Sequence, residues 1–564
     1  MSYACGQSGP AGRASGRPPA HDSCATAQRA DRASAVRSKS MPSVAIVGGG
    51  HNGLTAAAYL ARAGVQVTVL ERLHHPGGAA VSAEAFPGLD ARLSRYSYLV
   101  SLLPERIIRD LGLDVRLARR RYSSYTPLPG SDRGLLVDAG DEAATRASFA
   151  ALGAAADADG FAAFYGRTTR LAASLFPTLT DRLPTREAAR AAAGADSAWG
   201  EIVDAPIAEA IEAAVQHDLV RGVVATDALI GTFAALDDPG LEQNRCLLYH
   251  VIGGGTGDWD VPIGGMGQVS GGLERAARDA GATILTDVEV TRVTPDGEVT
   301  WAERGPVPLG TELTAQFDLV LSAVAPHVLA GLLGEDGPEG WTRPEGAQVK
   351  VNMLLSRLPR LREGVAPEAA FGGTFHINEG YERLGAAYRE AASGRIPDPL
   401  PCEIYCHSLT DPTILGDDLR ASGAQTLTVF GLHAPDRLVD AESNDRMRAE
   451  LLQAVVASLD SVLAEPIEPL LLADGSGAPA IEARTTLDIE QALGMPGGHI
   501  FHGDLSWPWL EQEATSVAEA WGVETPFARI LMAGSGARRG GAVSGIGGHN
   551  AAHAALELLG PELA

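Results

Sequence analysis

Apolar and polar positions fall into a regular order only from residue 43 onward. The run SVAIV ends in three glycines, HNGLTAAAYLARAG follows with apolar residues at helical spacing, and VQVTVLE closes as a second strand. The pattern predicts one strand–helix–strand unit. Residues 140–235 are rich in Ala, with Phe149, Leu152, Phe161, Phe164, Ile207, Ile211, Val215 and Val220 at helical spacing and breaks at Pro177, Pro184 and Pro206. A helical block is expected there. Near Gly264 a Gly-rich loop leads to a helix at Val269–Ala280, stopped by Gly281, and then to the strands TILTDVEVTRV and DLVLSAVAP. Residues 345–470 alternate strand-like runs (VKVNMLL, TLTVFGLHA) with a helix at Asn444–Leu463. The chain then returns to strand, glycine loop and helix in ARILMAG, SGARRGGAVSGIGGHN and AAHAALELLG. There is no internal repeat and no long polar linker.

At 564 residues the chain is long enough for two to four domains. The net charge of −25 repels a phosphate backbone and excludes nucleic acid as the main partner. Residues 1–40 carry +4 and the remainder −29. That leader lacks the large apolar residues needed to offset the entropy of ordering, and disorder is expected. Met41 stands directly before the first strand, which favours an over-extended start over a targeting leader. No run of about 18 apolar residues occurs, so a membrane span is not expected, while peripheral membrane contact stays open. Five Cys without a CxxC pair give neither a disulfide framework nor a zinc site and point to a reducing, cytoplasmic setting. Cys402 and Cys406 flank a strand-like run about 13 Å long, too far apart to bridge, and are expected as buried thiols. Lys occurs only at positions 39 and 350, a skew of the kind a GC-rich genome produces.

Gly48, Gly50 and Gly53 satisfy GxGxxG between an apolar strand and a helix with small residues at Ala56, Ala57 and Ala58. In that setting Gly48 permits a tight turn, Gly50 a close approach to pyrophosphate, and Gly53 contact of helix and strand, while the helix N-terminus offers free N–H groups. Glu71 ends the second strand, where a carboxylate accepts from a ribose with free hydroxyls and disfavours a 2′-phosphate. The dinucleotide is then FAD or NAD rather than NADP. Gly77 and Gly78 give a second glycine approach, and seven glycines between Gly534 and Gly548 crowd the last strand-to-helix loop. Glycine loops at both ends fit the longer FAD. If the first unit, the middle α/β piece and the last strand-loop-helix form one domain, its segments are 41–120, 255–335 and 525–564. Segments 121–254 and 336–524 then form an inserted α+β substrate domain, with a ligand cleft between the two.

These segments, with GGAAVSAEAFPG, SRYSYLVSLLPE, VPIGGMGQVSGGLERAARDAGA, DPTILGDDL and GMPGGHIFHGDLS, resemble the carotenoid (phytoene) desaturase-like FAD-dependent oxidoreductases over all but the leader. The resemblance implies an α/β, glutathione-reductase-type fold with a Rossmann-like FAD-binding domain and non-covalent FAD. It places Gly48, Gly50 and Gly53 at the pyrophosphate, Glu71 at the ribose and Asn52 among the cofactor-binding residues. Arg72, Gly77, Gly78 and Ala79 would line the passage to the flavin, and Val290 would meet the adenine. Gly534, Ser535, Gly536, Ser544 and Gly545 would cover the ring. Where relatives carry His-Pro, this chain has Arg538-Arg539, beside the expected ring position.

Residues 41–245 contain no Cys, which excludes the redox pair of a disulfide reductase. A second GxGxxG is missing, so oxygen or a quinone is the expected electron acceptor. The leading expectation is a flavin enzyme taking hydride from a hydrophobic substrate, isoprenoid or lipid-like by resemblance alone, and no metal pattern stands out. No catalytic residue is assigned. His250, His502, Asp504 and His549 are candidate proton acceptors, each more readily read as structural. His51 reads as a solvated turn residue, and Trp507, Pro508 and Trp509 as a pocket wall or core cluster. The alternatives are a flavin amine oxidase, disfavoured by only 5% aromatics, and a non-catalytic binding protein like the Rab GDP-dissociation inhibitors.

Overall fold

The structure, a computed structural model, describes residues 41–195, 197–304, 312–362 and 365–560. The expected leader disorder lies outside the described residues. The strand–helix–strand unit forms as Ser43–Val47, His51–Arg62 and Gln66–Leu70. Its strands belong to a five-stranded parallel sheet in the order 530–532, 319–322, 43–47, 66–70 and 283–285. A parallel sheet is covered on both faces, which explains why Val44, Ala45 and Ile46 are all solvent-free. The last strand is thus two places from the first. The helix Ile546–Leu559 also packs on His51–Arg62 so closely that a Cβ on Gly548 would run into the carbonyl of Asn52. The run TILTDVEVTRV divides at Asp287, whose φ of 57° turns the chain. Val288–Val293 then starts a separate three-stranded antiparallel sheet with Glu298–Glu303 and Leu313–Gln316.

A seven-stranded sheet runs 481–484, 348–355, 425–432, 402–405, 374–377, 122–127 and 134–138. It is antiparallel except where 374–377 meets 122–127. One face, with Val349, Val351, Met353, Ile404 and Val429, closes an apolar core with Leu451, Val455 and Leu459 of the helix Asn444–Val462. The strand at 122–127 was not legible in the sequence, because YSSYTP has no apolar alternation and is buried only by its neighbours. The helical block forms from Glu142 to Ala225 and continues past its expected end into Glu242–Val251. Its first helix is capped by Asp141, which accepts from the Ala144 N–H at 2.9 Å, and is closed by Gly153 at φ 91°. Cys246, Cys402 and Cys406 are buried free thiols. Among the described residues no helix is long and apolar enough to cross a membrane.

Candidate active site

One cavity of about 860 Å³ extends from the glycine turn after the first strand to a wall formed by the seven-stranded sheet. Its nucleotide-side geometry follows from local backbone requirements. Gly48 takes φ +97° and donates to the Leu70 carbonyl at 2.9 Å, while a Cβ on Gly53 would strike the Gly48 carbonyl. The helix beginning at His51 has no side-chain cap and no acidic residue in its first turn, which leaves its N-terminal donors suited to an anion. The buried Glu71 carboxylate accepts from the N–H groups of Gly49 (2.7 Å) and Leu73 (2.8 Å), so its side chain is fixed at the cavity edge. Gly77, at φ +119°, donates to the Gly49 carbonyl at 2.8 Å and holds the second glycine pair against the first turn. These features fit a dinucleotide pyrophosphate.

Of the residues expected at the cofactor, Gly48, Gly50, Asn52, Glu71, Arg72, Gly78, Ala79, Val290 and Ser535 line the cavity. Gly53, Gly77, Gly534, Gly536, Ser544 and Gly545 do not; they shape the backbone behind it. A Cβ on Gly534 would lie 2.7 Å from the Ala323 carbonyl, and one on Gly536 2.6 Å from Pro326 Cδ. Ser544 Oγ donates to the Gly541 carbonyl, and Gly545 enters the last helix at φ +69°. The wall there is made instead by Ser535, Ala542 and Val543.

The remaining candidate residues divide between the cavity wall and the packing behind it. Arg538 and Arg539 turn away from the cavity: Arg538 bonds the Trp509 carbonyl and Glu524, and buried Arg539 bonds the carbonyls of Thr178 and Trp521. Arg539 ties the last loop to Thr178 of the helical block, and Arg538 ties it to the segment 509–524. Asp504 does not line the cavity. His549 is buried beside Tyr59 and His553 with Nδ1 on Asn550, and Trp509 stacks with Trp199 and Trp507 within the helical core. His51, expected in solvent, is buried and lines the cavity, as do His250 and His502. Burial lowers each of these three to about 4, so all are neutral imidazoles at neutral pH.

The opposite wall was missed. Lys350 pairs with Phe430, Phe430 with Glu403, and Glu403 with His376, so these four residues form one row across four strands, and all four line the cavity. The available signal was period-2 polarity inside apolar strands, in VKVNMLL and CEIYC. Burial raises the Glu403 carboxyl to about 8, with the Tyr405 hydroxyl donating to it at 2.7 Å. Burial opposes charge on His376, but Glu379, 2.7 Å from Nδ1, reverses this and sets its pKa above the ordinary value. Burial also raises Asp227 to about 6 and drives the Lys350 amine well below its usual range. Tyr98, Tyr165, Tyr249, Tyr405, Trp259 and Phe430 add aromatic surface. The low overall aromatic content therefore says little about this cavity, because the fold concentrates those residues there.

An NAD(P)-binding Rossmann-like domain model matches residues 46–104. An uncharacterized protein of Mycobacterium tuberculosis is 56% identical over 527 residues, covering 92% of this chain and 97% of its own. The rat pyridine nucleotide-disulfide oxidoreductase domain-containing protein 2 is 30% identical over 560 residues, covering 90% of this chain and 92% of its own. The solved structure of an oxidoreductase from Methanosarcina mazei shares the fold at TM-score 0.54 and 17% identity, over 91% of this chain and all of its own. The Rossmann unit and the match to the rat protein over nine-tenths of both chains lead to one assignment: the chain belongs to the oxidoreductase family of pyridine nucleotide-disulfide oxidoreductase domain-containing protein 2.

Proposed function

We propose that this protein binds FAD and oxidises a hydrophobic organic substrate, of isoprenoid or lipid-like character, with oxygen or a quinone as final acceptor. The observation that carries this is one cavity running from the glycine turn and Glu71 to a wall that includes the aromatic and aliphatic side chains Tyr165, Val223, Ile230, Tyr249 and Phe430. In this reading Gly48, Gly50, Asn52 and the helix N-terminus hold the pyrophosphate, Glu71 the ribose, and Val290 the adenine edge. Gly78, Ala79, Ser535, Ala542 and Val543 bound the ring end. The flavin supplies a two-electron acceptor for hydride. The protein orients the substrate, excludes water and supplies proton-holding groups on the sheet wall. Segments 41–120, 255–335 and 525–564 form the nucleotide domain, and 121–254 and 336–524 the substrate domain.

Purified protein is expected to be yellow and to bleach with dithionite; a colourless protein that takes up no added FAD would favour a non-catalytic binding role. Amine oxidation is a second reading, supported by the aromatic lining and by Asp227 at the cavity wall. Anaerobic mixing with apolar alcohols, hydrocarbons and amines, followed by flavin bleaching, separates the two readings.

A further inference from the structure

The seven-stranded sheet has two unlike faces. Val349, Val351 and Met353 turn to the apolar core, while Lys350 between them turns to the cavity with Glu403 and His376 across the ladder. Lys350 and Glu403 are each only 2% exposed, and buried ionisable groups need partners. The acids mostly have them. Glu403 accepts from Tyr405 and lies 3.8 Å from His376, which also holds Glu379. Glu482 pairs with Arg95 and Arg484, and Asp258 and Asp260 with Arg119.

Two basic side chains of the cavity lining, Lys350 and Arg120, pair with no carboxylate. Lys350 Nζ has no hydrogen-bond partner and rests 3.6 Å from the Tyr98 ring centroid. Arg120 donates only to neutral oxygens, the Trp259 carbonyl at 3.2 Å and Thr374 Oγ1 at 3.0 Å, and sits 5.7 Å from the Tyr405 ring centroid. Tyr98 and Tyr405 are 4.6 Å apart, so the two cations flank one aromatic pair.

We propose that Lys350 and Arg120 hold the carboxylate of an apolar organic acid, whose hydrocarbon body lies along Tyr165, Val223, Ile230 and Phe430. This rests on the oxidoreductase reading and names its substrate class. Lys350 is the only lysine among the described residues of a chain with 45 basic residues, nearly all Arg. An amine can release its proton while the chamber is empty and regain it beside an anion; a guanidinium stays charged throughout.

The groups facing Lys350 are Tyr98, Glu403, Glu482, His407 and Arg120, with Asp227 towards His376. Carboxylate binding therefore takes up a proton at Nζ, and affinity falls as pH rises. It falls further through about 8, where Glu403 ionises. A cationic amine follows the opposite trend.

The test titrates flavin-loaded protein with decanoate, decanol and decylamine, read by flavin absorbance and by calorimetry in two buffers of different ionisation heat. Decanoate is expected to bind most tightly and with proton uptake. Lys350→Met should weaken it by about ten- to hundredfold, the worth of a charge-assisted hydrogen bond. Decanol or decylamine binding as tightly as decanoate to the unaltered protein overturns the proposal, as does decanoate affinity unchanged in Lys350→Met. The wild-type ligand series decides the matter even if the variant fails to fold. Flavin uptake separates the two failures: none overturns the oxidoreductase reading, whereas a flavin-loaded protein indifferent to head-group charge overturns only the carboxylate.

Discussion

The two ends of the cavity are built in opposite ways. At the nucleotide end, contiguous residues 48–53 make the turn: Gly48 takes φ +97°, Gly53 leaves room for the Gly48 carbonyl, and Gly49 leaves room for the Glu71 side chain just after the neighbouring strand. At the substrate end, Lys350, Phe430, Glu403 and His376 come from four strands, and none has a local reason to be polar or apolar. A site made of backbone is specified by short-range sterics. One made of side chains across a ladder is specified only by the register of the whole sheet.

The sharpest way to break this contrast is Gly53→Val. Its side chain would collide with the Gly48 carbonyl, so loss of flavin together with a lower Tm is expected. Retention of both would show that the turn has more freedom than its geometry allows. Glu71→Ala comes next. It removes the acceptor of two backbone N–H groups, and flavin occupancy after dialysis should drop clearly while far-UV dichroism stays native.

Glu403→Gln should act on the other end alone. A carboxyl raised from 4.5 to about 8 in the folded protein ionises more readily when unfolded, so wild-type stability declines as pH rises between those values. The variant should therefore gain in Tm relative to wild type at pH 8 more than at pH 5, with unchanged flavin content. Equal shifts at both pH values would refute the buried-acid assignment. The smallest effect is expected for Arg538→Ala. Its pair with Glu524 is partly exposed and contributes on the order of 1 kcal/mol or less, and the side chain is outside the cavity. A changed flavin spectrum there would return this arginine to the ring environment.

Much of the fold was legible. The first strand–helix–strand unit, the helix at 444–462 and the closing strand, loop and helix follow from apolar periodicity and glycine placement. Ser124 and Thr126 hid the strand beside the sheet edge because polar residues buried by neighbours leave no periodic trace. The terminal glycines were legible as a cluster, yet all seven stand behind the cavity wall, because a missing Cβ can serve backbone packing as well as a ligand.

By itself the sequence determined the dinucleotide turn, the acid at the end of the second strand and the absence of a redox Cys pair near the first motif. All three are set by neighbours in the chain. Only the tertiary structure decided that Arg538 and Arg539 are structural, that His51 is buried, and that a lysine, a glutamate and a histidine share one buried row. Those outcomes depend on which face of a strand or loop turns inward, and that is chosen by pairing between segments far apart in the chain.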